Sequence, residues 1–93
     1  MITAVVLISA ERGALPRLGQ DLAAIPGVSE VYSVTGEFDF IAMVRAKEHD
    51  DLAEIVTSRI AQTKGVARTH THVAFRAYSK HDLETVFGMD DRD

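Results

Sequence analysis

Ninety-three residues carry ten Lys and Arg against fourteen Asp and Glu, a formal net charge of -4, and contain no cysteine. That length bounds the chain to one small domain, for which burying a further surface by self-association is a natural source of stability. The charge argues against a basic nucleic-acid-binding face, and the missing thiols exclude disulfide frameworks, thiolate metal sites and cysteine nucleophiles.

Ile2 to Ser9 is nearly all apolar and rich in Val and Ile, as a central strand buried on both faces requires. No basic segment precedes this apolar run, and it is too short to span a bilayer, so a soluble, cytoplasmic protein with no membrane contact is expected. In ERGALPRLGQDLAAIPG, Leu15, Leu18, Leu22 and Ile25 recur at spacings of three and four. That spacing predicts a helix with one apolar stripe, stopped by Pro26 and Gly27. Val28 to Thr35 and Phe38 to Arg45 read as the arms of a hairpin, with Gly36 and Glu37 as a two-residue type II′ turn. Lys47 to Asp51 is a polar entry in which Asp50 and Asp51 cap a second helix and meet its dipole. Leu52, Ile55, Val56 and Ile60 mark that helix, which ends near Lys64 and Gly65. Val66 to about Tyr78 reads as a last long strand, closing a domain over residues 1–79. A polar tail follows over 80–93, with Leu83 and Phe87 at the spacing of a short helix and an acidic end at Asp90, Asp91 and Asp93.

The order βαββαβ contains an internal repeat. Ala4, Val6, Leu22, Ala23, Gly27 and Val28 fall on Ala42, Val44, Ile60, Ala61, Gly65 and Val66 at one constant offset. Two βαβ units of this kind form an α+β, ferredoxin-like split βαβ fold, a four-stranded antiparallel sheet with both helices on one face. The other face is left open. Ile2, Ala4, Val6 and Ile8 lie on one side of the first strand, and Thr3, Val5 and Leu7 on the other. Helices cover one side only, so the remaining apolar surface predicts a dimer joined through the open sheet faces.

Chemistry-bearing residues are few. His70 and His72 lie two apart on the last strand and share a face, which would offer two nitrogen ligands, but no third ligand is evident, and alternating polar side chains on a half-exposed strand or at a dimer interface are the favoured reading. His49 and His81 sit in polar stretches. No serine occupies a nucleophile elbow, and no phosphate loop or dinucleotide fingerprint occurs. Arg68 and Arg76, with His70 and His72, would line an anion site on the open face, or simply face solvent. The hairpin is the richest segment. Gly36 lets backbone approach a ligand, Asp39 offers a carboxylate to an ammonium, and Thr69 and Thr71 offer hydroxyls. Those groups together suit an α-amino acid. Read from the residues alone, the plainer alternative is that Gly36 and Glu37 make a turn and Asp39 bonds a nearby backbone N–H.

The run IPGVSEVYSVTGEFDFIAMVRA, the helix after it and KGVARTHTHVAF resemble the effector-binding RAM domain of the Lrp/AsnC transcription regulators, over about residues 2 to 79. The resemblance implies the ferredoxin-like fold, dimers through the open sheet faces, higher assemblies of dimers, and no catalytic activity. It also implies a small effector, often an amino acid, bound where dimers meet. Carried over by position, Thr35, Gly36, Glu37 and Asp39 match the turn motif and Thr69 and Thr71 the threonine pair, with Asp39 facing the ligand amine and the Gly36 region its carboxylate. The sequence opens at the first strand of that domain, without the family's helix-turn-helix, so it is similar either to the stand-alone RAM proteins or to a fragment of a longer chain, and by itself is expected not to bind nucleic acid directly. Its expected partners are the effector, further copies of itself and full-length Lrp/AsnC regulators; no cofactor or metal is called for. The competing reading is a dimeric α/β-barrel enzyme of the monooxygenase or haem-handling type using His70 or His72, and a third is an oligomerisation module with an empty cleft.

Overall fold

The computed structural model describes residues 1–78 and Lys80; the expected helix at Leu83 and Phe87, and His81, lie outside the described residues. The elements are β1 (Ile2–Ala10), α1 (Leu15–Ala23), β2 (Val28–Ser33), β3 (Phe40–Ala46), α2 (His49–Ala53), continued by a π-helical segment Glu54–Ile60, and β4 (Val66–Ala74). Four strands form one sheet in the order β2-β3-β1-β4, with each neighbouring pair antiparallel. This is the expected ferredoxin-like α+β arrangement.

Period-two alternation places the core. Ala4, Val6 and Ile8 of β1 and Phe40, Ala42, Val44 and Ala46 of β3 are buried on the helix side, against Leu18 and Leu22 of α1 and Leu52, Ile55 and Ile60. Burial of each such branched side chain contributes roughly 1.5–3 kcal/mol, which holds helices that have little local support. Helix α1 has Ala14 at its N-cap with no side-chain cap, and no acidic residue in its first turn. Pro16, set for a first-turn position, and the packed pair Leu18 and Leu22 compensate.

The internal repeat is real in three dimensions. Val6 and Val44, and Leu22 and Ile60, are equivalent under the offset and all are 0% exposed. Gly27 and Gly65 are equivalent too, and both have positive φ, at 98° and 101°. A Cβ on Gly65 would lie 2.8 Å from the Ala14 Cβ, so the turn into β4 is closed by both backbone conformation and space.

Four details depart from the sequence reading. The strands β2 and β3 stop pairing at Ser33 opposite Phe40, so the connection is a loop of Val34 to Asp39 rather than a two-residue turn. The last strand ends at Ala74, short of Tyr78. Asp50 and Asp51 stand in the first turn of α2, where they meet its dipole, but the N-cap residue is Glu48 and no side chain caps the helix. Finally, the second helix widens: the Ala61 N–H donates to the carbonyl of Val56, five residues back. The wider turn is what brings both Ile55 and Ile60 onto the buried side, because a five-residue step would swing well off the stripe of a regular α-helix.

The face away from the helices carries Thr3, Val5, Leu7 and Ser9 from β1, Ile41, Met43 and Arg45 from β3, and Glu30 and Tyr32 from β2. From β4 it carries Arg68, His70, His72 and Ala74. Val5, Leu7, Ile41 and Met43 are only half-buried there.

Candidate functional site

The loop Val34 to Asp39 folds across the end of β1 and reaches β4. Asp39 anchors it through its N–H, its carbonyl and one carboxylate oxygen. Its N–H donates to the carbonyl of Ile8 at 2.9 Å, and its own carbonyl accepts from Val34 N–H at 3.0 Å. Its Oδ2 accepts from the Ala10 N–H at 2.7 Å, in a part-buried setting. The local reason lies in β1. Between Ser9 and Ala10 the register against β4 shifts, with Ser9 opposite Arg68 and Ala10 opposite Val66. Where the ladder is irregular, a backbone donor needs another acceptor, and the Asp39 carboxylate supplies it.

Beyond this anchor the loop tip rests on β4. The Phe38 ring lies 5.3 Å from the His70 ring at a tilt of 50°. The Arg68 guanidinium sits 5.5 Å from the centroid of the same Phe38 ring, on the geometry of a cation–π contact. The carboxylate of Glu37 is 3.9 Å from the Arg68 guanidinium, with both side chains exposed, at 77% and 57%. Gly36, at φ 109°, has no atom within 4 Å of where a Cβ would stand, so its backbone is open to approach.

The six expected site residues therefore divide. Thr35, Gly36 and Glu37 are exposed on the loop, and Asp39 is part-buried at its base. Thr69 and Thr71 pair with Ile8 and Val6, both buried beneath the helices, so the threonines lie on the helix side of β4. Glu37 and Phe38 instead contact Arg68 and His70, which point to the open face. One chain does not bring the turn and the threonine pair onto the same side of the sheet. For Asp39, the hydrogen bond to a nearby backbone N–H that the residues alone allowed is the one observed. Phe38, read from the sequence as the first residue of the hairpin's second arm and so on the side of Phe40 by strand alternation, packs on the open side because it precedes the strand and escapes that alternation. Arg68 was outside the six effector residues, though the sequence reading set it with His70 in a candidate anion site on the open face, and Phe38 belonged to neither; the period-two neighbourhood of Arg68 and His70 was the available signal.

Elsewhere the chemistry is sparse. Among the described residues no three His, Cys, Asp or Glu side chains gather as metal ligands. Tyr32, on the open face, donates to Glu30 Oε2 at 3.0 Å. That hydrogen bond, followed by the carboxylate charge, raises the pKa of the phenol, while Arg45 pulls the other way. The Ser9 hydroxyl, on the same face beside Arg68, is buried with no hydrogen-bond partner among the described residues. A cleft of about 530 Å³ between the start of α1 and the turn at Lys64 and Gly65 is lined by none of the six. No helix among the described residues is long and apolar enough to cross a membrane.

A βαββαβ chain folded into one antiparallel sheet, with both helices on one face and the other bare, defines the ferredoxin-like class of small α+β domains. Residues 3–83 match the family of the Lrp/AsnC ligand binding domain, and the chain belongs to that family. Among solved structures it is similar to TTHA0845 from Thermus thermophilus, at 48% identity and TM-score 0.80, covering 86% of this chain and 100% of that one. It shares its fold with the Neisseria meningitidis transcriptional regulator NMB0573, solved as an L-Met complex, at 15% identity and TM-score 0.76, covering 84% of this chain and 52% of that one. Among curated relatives, the HTH-type transcriptional regulator PF0250 of Pyrococcus furiosus is 40% identical over 58 residues, 62% of this chain. The match takes in 39% of that regulator's length. A homocitrate synthase of Sulfurisphaera tokodaii is 36% identical over 55 residues, 59% of this chain but 12% of the enzyme. The family is regulatory.

Proposed function

We propose that this domain is a non-catalytic sensor of an α-amino acid or a similar small metabolite, working as a homo-oligomer whose ligand sites are completed where copies meet. The observation that carries the reading is the anchored loop. Asp39 fixes its base to β1 while Gly36, Thr35 and Glu37 stay exposed at its tip, which is how a site for a small polar ligand is held ready without a ligand. Thr69 and Thr71 lie on the helix side of β4, where their hydroxyls would serve the ligand held by the loop of another copy. The half-buried Val5, Leu7, Ile41 and Met43 supply the apolar surface for a dimer through the open faces. The L-Met complex of the Neisseria regulator supports the ligand class.

Output would pass through assembly, either as a change in oligomer size or as mixed oligomers with HTH-bearing regulators of the same family. Light scattering of the purified protein with and without each of the twenty amino acids, alongside thermal unfolding, tests this. A ligand-dependent change in mass or melting temperature is expected. A fixed mass and an unmoved melting temperature across all twenty would overturn the amino-acid reading.

A further inference from the structure

The corner where the loop meets β4 contains more recognition chemistry than the threonine and aspartate positions. We infer that Arg68 and Glu37 form the head-group clamp of the ligand site, Arg68 taking an α-carboxylate and Glu37 an α-ammonium, with Phe38 and His70 as the wall beside the ligand's side chain. This inference rests on the amino-acid reading above and specifies its contacts.

An α-amino acid presents opposite charges on a single carbon, so its receptor needs opposite charges side by side. Arg68 and Glu37 are that pair. At 3.9 Å they stand beyond hydrogen-bonding distance, so neither satisfies the other's donors or acceptors. Both are exposed in the single chain, at the corner of the sheet where Arg68 pairs with Ser9, past the Leu7 and Ile41 end of the apolar patch, and an exposed pair of this kind holds weakly enough for a zwitterion to enter between its members. The supports on each side are ordered. Arg68 sits on β4 opposite Ser9, with its guanidinium over the Phe38 ring, which restrains the planar fork that matches a carboxylate. Glu37 lies one residue past Gly36 and two before the Asp39 anchor. Asp39 itself is a poorer amine acceptor, since one of its oxygens already takes the Ala10 N–H in a part-buried position. Asp39 is therefore a positioning residue, and Glu37 carries the free carboxylate. The Phe38 ring, shared between Arg68 and His70, gives the corner its apolar surface.

The test is calorimetric titration of the full chain with the twenty L-amino acids, then with the amide and the N-acetyl derivative of the tightest binder. Wild type is compared with R68Q and E37Q, each checked by light scattering for wild-type mass. R68Q is expected to weaken the free amino acid about tenfold or more and to abolish its advantage over the amide, which lacks the carboxylate charge. E37Q is expected to abolish the advantage of the free amine over the N-acetyl form. Should R68Q alter the mass, the decision passes to E37Q and the N-acetyl comparison alone. Wild-type affinity and discrimination in the variants would overturn the clamp while leaving amino-acid sensing in place. Failure of wild type to bind any of the twenty would overturn both.

Discussion

Removing the Asp39 carboxylate separates two roles for this residue, anchor and ligand contact. In Asp39→Ala the Ala10 N–H loses its acceptor at the point where the β1–β4 register shifts. A hydrogen bond to a charged group contributes about 1.5–3 kcal/mol, and an orphaned, part-buried donor costs a comparable amount, so a loss of about 2 kcal/mol is expected. For a domain of this size that is a drop of roughly 10 °C in melting temperature. Asp39→Asn keeps a neutral acceptor oxygen and should lose less than about 1 kcal/mol. Urea unfolding followed by circular dichroism measures both, at one fixed protein concentration because the proposed self-association would add concentration-dependent stability. In ligand titrations on the same proteins, an anchor predicts that affinity and stability fall together in Asp39→Ala and are both largely kept in Asp39→Asn, with the dimer intact throughout. A direct contact to the ligand amine predicts lost affinity in both variants. Stability of Asp39→Ala within about 0.5 kcal/mol of wild type would refute the anchor.

Two glycines with positive φ should respond differently to alanine. Gly65→Ala meets both an unfavourable backbone and the Ala14 side chain and should cost about 3 kcal/mol, whereas Gly36→Ala, with open space around it, should cost about 1 kcal/mol; denaturant midpoints decide. Leu7→Glu places a charge on the half-buried open face and should lower the mass seen in light scattering while circular dichroism still reports a folded chain. Tyr32 should ionise above its ordinary value of 10.0, because folding favours the protonated phenol that donates to Glu30. The stability it contributes is thus fully present below 10.0 and is lost as pH rises through the higher folded value; Glu30→Gln should return the phenol's titration, read by ultraviolet absorbance, toward 10.0.

The fold was legible because its signals are local and repeated. Alternation in ITAVVLIS divided β1 into the two sides that the structure uses, without saying which of them the helices cover, and the constant offset between the halves paired Gly27 with Gly65 before either turn was visible. The site was less legible because it depends on where alternation fails. Extending β3 back to Phe38 placed Phe38 and Asp39 by strand parity, but the strand begins at Phe40, and the residues before it are oriented by contacts distant in sequence. Ala10 claims Asp39 from 29 positions away, and Arg68 and His70 claim Phe38 across β1. The π-helical turn was half-legible: the five-residue step from Ile55 to Ile60 is its imprint, yet the same residues fit a loosely amphipathic α-helix.

The division of the candidate site between the two sides of β4 bears on how such a sensor would signal. Within one chain the loop is fixed by three hydrogen bonds through Asp39, and the sheet beneath it is packed on the helix side by residues that are almost fully buried. A frame of that kind has little internal freedom to convert binding into a change of shape. If Glu37 and Arg68 of one copy and the threonines of another hold the same ligand, occupancy and assembly become linked by mass action, with a stabilisation of RT ln(1 + [L]/Kd) for each shared site. At a ligand concentration of about 100 Kd that is about 2.7 kcal/mol per site, enough to shift an association equilibrium about a hundredfold. Oligomer size, rather than a hinge or a lid, is then the quantity on which a ligand acts, and the exposed edge at β4 is the element through which it does so.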